Sequence, residues 1–337
     1  MEKYNNQSFC SSVQTQRETR EPPKTDAVFG EMIDRFLIQQ KYQVKQSTYA
    51  HYVNLIDTHI RPQLGACAVS ELSSGVIEEY ASEKLRNGKL DGKGGLSPKT
   101  VRDLLTLIRM TIKYGVAKGE IGPEVLFFSS PRVPKKDVRV IPQQELQKLE
   151  KFCLDTRNHL YFGIYLCLYT GLRIGELCAL QWQDIDLKCG CLCINKTILR
   201  INSTEKEDRQ TVVLIDTPKT VHSKRIIPLP SHLIKLLAKR KTKDYGPDTY
   251  FLTGTTSYIE PRNYYNKYKH CLRECGLPAY TFHTLRHTFA TRCVEKGMDP
   301  KALSEILGHA DVKTTLDKYV HPSLEYKRNC MELLSSD

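Results

Sequence analysis

Acidic side chains are in short supply in this chain. Asp and Glu number 38 against 50 Lys and Arg, a formal charge of +12 with a pI near 9.0. That deficit favours a polyanionic partner, with DNA or RNA first in line. Long apolar runs are missing too. The longest, around residues 161–172, is well short of the roughly 20 residues that span a bilayer, so no membrane partner is expected. Residues 1–20 are polar and offer no apolar stretch of the secretory kind, and a cytoplasmic protein with reduced thiols is the expectation. No G-x-x-x-x-G-K-[ST] loop occurs, which argues against ATP as a cofactor. No acid cluster suits two-metal catalysis. No internal repeat recurs at a period of about 20–50 residues, which excludes solenoids.

The twelve cysteines are not read as a disulfide framework in that context. Cys167, Cys178 and Cys293 fall in apolar helical patterns and are expected to be small core residues. Cys189, Cys191 and Cys193 alternate at a turn-to-strand junction and share one face. A zinc site would need a second pair at a matching spacing, and this C-x-C-x-C has none, so no metal is expected there.

What is present is a globular balance, with 40% hydrophobic and 26% charged residues, in 337 residues that suffice for two domains. Residues 1–25, rich in Gln, Glu, Ser and Thr, read as a disordered arm. Residues 26–128 read as a helical domain. Phe29, Met32, Ile33, Phe36 and Leu37 recur at helical spacing. So do Tyr49, Tyr52, Val53, Ile56 and Ile60, after Ser47 as the expected N-cap. A weaker helix runs through Val76, Ile77 and Tyr80. Ser97-Pro98 opens another with the stripe Val101, Leu104, Leu105, Ile108 and Ile112. Residues 129–137 (SSPRVPKKD) read as a linker, basic enough to lie along a phosphate backbone or simply to be solvated.

Residues 138–337 read as a second, mixed domain. Helices are expected from Gln143 and over Asn158 to Thr170, the latter closed by Gly171. The apolar period then switches to two, giving strands over 191–198, 211–215 and 225–229 in one small antiparallel sheet. Helices resume after Ser231, after Pro261 and from Thr284 to Gly297, and Asp299-Pro300 starts the next. Asp311 is the expected N-cap of a short helix that carries Tyr319 near its end, and a last helix is expected within 322–334. The fold class is therefore mainly α with a small antiparallel β-sheet.

One ordered set of side chains in the second domain suits phosphodiester chemistry: Arg173, Lys219, His283, Arg286, His309 and Tyr319. A guanidinium at a helix start can donate two parallel hydrogen bonds to a phosphate; an ion pair of Arg173 with Glu176 on the same face is the alternative. Lys219 precedes an expected hairpin turn at Val221–Ser223 and is either an acid beside a leaving oxygen or a solvated turn lysine, with Lys224 as its rival. His283 and Arg286 stand three apart and share a helix face, and His287 is expected to point elsewhere. The zinc signature HExxH is not met, because Thr284 occupies the Glu position. His309 follows Gly308, which can close a helix with φ > 0. Tyr319 is the plausible nucleophile, with a core aromatic packed on Val312 and Leu316 as the alternative. Asp184 is a candidate supporting acid.

These residues sit in Thr-Gly-Leu-Arg-Ile-Gly-Glu-Leu (170–177), Pro-Lys-Thr-x-x-Ser-x-Arg (218–225), His-Thr-Leu-Arg-His (283–287) and Leu-Gly-His (307–309), followed by Tyr319. In this order and spacing the second domain resembles the tyrosine recombinase (phage integrase) family. The resemblance implies a helical, SAM-like core-DNA-binding domain followed by an α+β catalytic domain. It implies site-specific cutting and rejoining of DNA through a 3′-phosphotyrosine, without metal or ATP, in an enzyme of a mobile element. Arg173, Arg286 and His309 are then the phosphate-holding groups, Lys219 the acid for the 5′-oxygen and His283 the proton acceptor near Tyr319. Glu176, Asp184 and His287 are expected to support them. Double-stranded DNA, a homotetramer assembled on it, and accessory DNA-bending or directionality proteins are the implied partners. Residues 1–25 are too few for the arm-binding domain of many phage integrases, so action on simple core sites is expected. Two alternatives stay open: type IB topoisomerase-like cutting and resealing, and a DNA-binding regulator with an idle site. A covalent adduct on DNA excludes the regulator, and the joining of two duplexes excludes the topoisomerase.

Overall fold

The computed structural model describes residues 27–134, 138–156, 158–203, 211–216, 224–319, 327–328 and 331–332. The chain falls into two compact units, Met1–Val44 with Tyr52–Val133, and Lys45–His51 with Pro134–Asp337. The arm expected over residues 1–25 lies outside the described residues.

The first unit is helical. In α1 (Phe29–Gln43), Phe29, Met32, Ile33, Phe36 and Leu37 form the buried stripe that their spacing requires. α2 (Gln46–Leu55), whose residues up to His51 are grouped with the second unit, begins one residue before Ser47, so Ser47 is inside the helix and not its cap. The amides of Thr48 and Tyr49 are both taken up by the Lys45 carbonyl, which leaves no free donor for a serine cap to satisfy. A π-helical turn, Ile56–Ile60, leads into α3 (Arg61–Leu64). α4 (Ser74–Asn87) is capped by the Ser73 hydroxyl, which accepts from the Val76 amide. α5 (Pro98–Ala117) starts as its sequence dictates, with Ser97 accepting from Thr100 N–H and proline at the first helical position. Its stripe Val101, Leu104, Leu105, Ile108 and Ile112 is fully buried.

The second unit is built round α7 (His159–Thr170), which follows α6 (Gln143–Asp155). α7 is apolar on all sides, and a helix of that kind is stable only when enclosed. Phe162, Ile164, Leu166, Cys167 and Leu168 are all buried in the main core. α8 (Ile174–Ala179) follows after a tight turn. β1 (Ile185–Asp186), β2 (Cys191–Ile194) and, later in the chain, a further strand over Arg225–Pro228 form an antiparallel sheet with β2 in the middle. Between them, among the described residues, β3 (Thr197–Asn202) and β4 (Thr211–Asp216) pair with each other alone, from Thr197 opposite Asp216 to Asn202 opposite Thr211. Arg225–Pro228 is thus β5. Then come α9 (Ser231–Arg240), α10 (Pro261–Glu274), α11 (Phe282–Glu295), α12 (Pro300–Leu307) and α13 (Val312–Tyr319).

Two expectations need correction. The single strand over 191–198 is two strands, and the single sheet is two sheets. Asn195 and Lys196 interrupt the ladder because their side chains turn to Asp184 and Gln181, which leaves β3 free to pair with β4. In β2, Leu192 and Ile194 face the core, while Cys191 and Cys193 lie on the partly open face and Cys189 is exposed in the preceding turn. Among the described residues no group of three or more His, Cys, Asp or Glu is placed to hold a metal ion, and no helix is long and apolar enough to cross a membrane. Of the expected last helix, Lys327, Arg328, Met331 and Glu332 are described, and they are helical.

Candidate active site

α7 ends at Gly171 in the left-handed conformation (φ 65°), two residues before Arg173 caps α8. Glu176 closes that first turn. Its carboxylate accepts the Arg173 backbone N–H at 2.9 Å and Arg173 Nη1 at 2.8 Å. It also receives the whole fork of Arg225, from Nη1 at 3.0 Å and Nη2 at 2.9 Å. The Glu176 side chain is only 4% exposed. Burial alone would raise its pKa, but the hydrogen bonds and charge of Arg225, followed by those of Arg173, overcome burial and hold it at about 2. Glu176 is therefore a fixed anion between two guanidiniums, and it orients Arg173 as the sequence suggested.

Three arginines converge on the carboxyl end of α12. Arg225 Nε donates to the Ile306 carbonyl at 2.6 Å, Arg286 Nη2 to Leu307 at 2.7 Å and Arg173 Nη2 to Gly308 at 3.3 Å. The last carbonyls of a helix have no partners within it and carry the negative end of its dipole, so guanidiniums are suited to them. Gly308 lets the chain turn away there, with φ 65°, and a Cβ would stand 3.1 Å from Arg225 Cδ. Arg286, 1% exposed, also donates from Nη1 to the Gly171 carbonyl at 2.9 Å, tying the end of α7 to the end of α12. Burial first, and the neighbouring Arg173 next, push Arg286 down to about 9, which leaves it charged at neutral pH. Arg173 is the most open of the three, its side chain 38% exposed.

His309 follows directly. Its Nδ1 lies 2.8 Å from Thr315 Oγ1 on α13, and a hydroxyl donating there keeps the ring proton on Nε2. Burial first, then Arg286 and Arg173, depress it to about 3. It is an uncharged donor at neutral pH. His283, although partly open to solvent, is lowered to about 4 by lost hydration first and then by His287, Arg286, Lys318 and Arg173.

Tyr319 is 6% exposed and packs in a small cluster with Phe289, Ala290, Cys293, Leu303 and Leu307. Tyr319 is thus a buried aromatic, as the alternative reading has it, but its core partners belong to α11 and α12, and Leu316 is 41% exposed. The phenol meets His287 Nδ1 at 2.7 Å. The expectation that His287 points elsewhere is overturned: it is His287, one turn beyond His283, that hydrogen-bonds the phenol. Positions i and i+4 of a helix share a face, the two imidazoles meet edge to face at 4.4 Å, and α13 brings Tyr319 to the second of them. Burial raises the Tyr319 pKa, while Arg286 and Arg173 pull it back.

Asp184 is not part of this cluster. Its carboxylate accepts from Gln181 N–H and Asn195 Nδ2 and pairs with Lys196, holding the turn before β1. Lys219 and its hairpin turn lie outside the described residues. Lys224 is exposed, immediately before β5. Arg225 was given no role by sequence reasoning, yet it completes the Glu176 anchor. The signal was available: an arginine at an inward position of an alternating strand needs a buried acid partner.

The phage integrase family matches residues 139–325, and the N-terminal SAM-like domain of phage integrases matches residues 28–85. The chain is 26% identical over 335 residues to a tyrosine recombinase XerC-like protein of Caldanaerobacter subterraneus subsp. tengcongensis, covering 92% of this chain and 83% of that one. It is 26% identical over 322 residues to the transposase from transposon Tn916 of Enterococcus faecalis, covering 88% and 75%. The fold resembles the Tn1549 transposon integrase in complex with transposon right end DNA, with a TM-score of 0.73 at 24% identity, over 92% of this chain and 100% of that chain.

Proposed function

Because this chain belongs to the phage integrase family, we propose that it is the site-specific DNA recombinase of a mobile element, cutting and rejoining strands through a phosphotyrosine at Tyr319. The observation that carries the reading is electrostatic. The guanidiniums of Arg173 and Arg286 both act on the buried phenol, and both act on His309. One phosphodiester placed among them meets two fixed charges, one neutral donor and one nucleophile.

Attack of Tyr319 Oη on phosphorus builds negative charge on the non-bridging oxygens. Arg173, the most open guanidinium, and His309 Nε2 donate to them, and Arg286 supplies charge from below. Removal of one such preplaced donor typically costs on the order of 10²–10³ in rate. Glu176 and Arg225 hold Arg173 without themselves reaching the phosphate. Lys219 protonates the leaving 5′-oxygen. The bond energy is kept in the protein–DNA ester, and a free 5′-hydroxyl from another strand attacks it to rejoin. Double-stranded DNA is the substrate. Assembly as a tetramer on DNA and help from DNA-bending or directionality proteins belong to the same reading. Relationship to transposon enzymes supports a mobile element.

The test uses purified protein and nicked DNA from the junctions flanking its own gene. A protein-linked 3′ strand is expected, and Tyr319→Phe should abolish it while DNA binding stays nearly intact. Persistence of the adduct in that variant would move the nucleophile elsewhere. Joining of two different duplexes separates recombination from topoisomerase-like resealing.

A further inference from the structure

A phenol must lose its proton to attack phosphorus, and the groups around Tyr319 differ sharply in their capacity to take it. Glu176 is saturated by two guanidiniums and held at about 2. His309 has its Nδ1 engaged by Thr315. Among the described residues the one hydrogen-bond partner of the phenol is His287 Nδ1, at 2.7 Å, within the reach required of a general base. Both ends of that bond are held by helices. His287 is on α11 beside the buried Arg286, its ring braced edge to face by His283. Tyr319 is clamped by the apolar cluster of α11 and α12. Positions fixed in this way are what a proton transfer needs.

We propose that His287 is a catalytic residue, its Nδ1 accepting the Tyr319 proton as Oη attacks and returning it when the strands are rejoined. The inference rests on the reading of Tyr319 as nucleophile. In the forward step the Oη–P bond forms and the bond from phosphorus to the 5′-oxygen breaks. The phenolic proton moves to Nδ1, giving an imidazolium, and the 5′-oxygen takes a separate proton from Lys219. In the reverse step the 5′-hydroxyl returns its proton to the Lys219 amine as it attacks, and the departing Oη recovers its own from Nδ1. Burial first, then Lys318 and Arg286, lower the His287 pKa, which favours the uncharged ring that a base requires. The phosphate itself, bringing negative charge beside the ring, strengthens it as a base when the substrate is bound.

The experiment measures the single-turnover rate of covalent adduct formation on nicked DNA. His287→Ala should slow it by about 10²-fold or more while DNA binding is retained. His287→Asn, which keeps a polar partner for the phenol but has no basic nitrogen, should be similarly slow. Replacing Tyr319 in the His287→Ala protein by 3,5-difluorotyrosine, a more acidic phenol, should recover much of the loss. A 5′-bridging phosphorothiolate, which relieves only the leaving group, should not. Wild-type rates in His287→Ala or His287→Asn would overturn the proposal, as would a loss that the acidic phenol fails to recover. Failure of the unaltered protein to form any adduct would instead remove the reading of Tyr319 beneath it.

Discussion

Replacing Glu176 by Gln keeps the shape of the side chain and removes the anion between Arg173 and Arg225. The cost can be worked from its titration. Its pKa falls from an ordinary 4.5 to about 2 in the folded protein. That depression corresponds to about 3 kcal/mol of stability at neutral pH. Breaking a buried ion pair and leaving Arg225 uncompensated gives the same order, about 3–5 kcal/mol. Because the folded pKa is depressed, this stability is fully present above pH 4.5 and is lost as pH falls toward 2. Trp182 is the single tryptophan, 2% exposed in the core of the second unit, so its fluorescence reports unfolding of that unit alone. Urea or thermal unfolding at pH 7 should show Glu176→Gln less stable by about 3 kcal/mol, a fall in Tm of roughly 6–12 °C for a unit of this size. The gap between variant and wild type should narrow steadily below pH 4. A gap under about 1 kcal/mol at pH 7, or one that does not change with pH, would refute the account of Glu176 as a buried anion that anchors both guanidiniums.

Lys219→Ala should slow strand cleavage, and a substrate with a 5′-bridging sulfur, whose thiolate leaves without a proton, should restore the rate; no rescue would mean that Lys219 is not the acid. Gly308→Ala forces a side chain into the left-handed region at φ 65° and against Arg225, and should cost about 1–2 kcal/mol in the Trp182 unfolding assay. Arg286→Lys cannot serve the carbonyls of both Gly171 and Leu307 with one compact ammonium, and should reduce adduct formation by at least about 10²-fold while bulk DNA affinity changes little. DNA affinity measured against salt should fall steeply, as it does for any protein that neutralises several phosphates.

The parts of the fold that were legible are those where one residue decides the local structure. Ser97 before Pro98, Asp299 before Pro300, Asp311 before α13 and Gly171 after α7 each mark a helix end by a hydrogen bond or a dihedral angle that other residues do not supply. The break at Asn195 and Lys196 was hidden because alternation runs straight through it; only the tertiary pull of Gln181 and Asp184 separates β2 from β3. The site divides on the same principle. Arg173, Arg286, His309 and Tyr319 stand out in the sequence because phosphodiester chemistry calls for those groups together. Which imidazole touches the phenol was not legible, since His283 and His287 are one turn apart on one face and only the approach of α13 chooses between them. Arg225 was missed for a related reason. Its inward position on a strand signals a buried acid partner, but which acid is a tertiary matter, since Glu176 also serves Arg173. A buried carboxylate can accept at about four lone-pair positions and must be paired to stay charged. Glu176 accepts the Arg173 N–H, Arg173 Nη1 and both Nη atoms of Arg225, so the inward arginine of β5 is the second cation that its burial calls for.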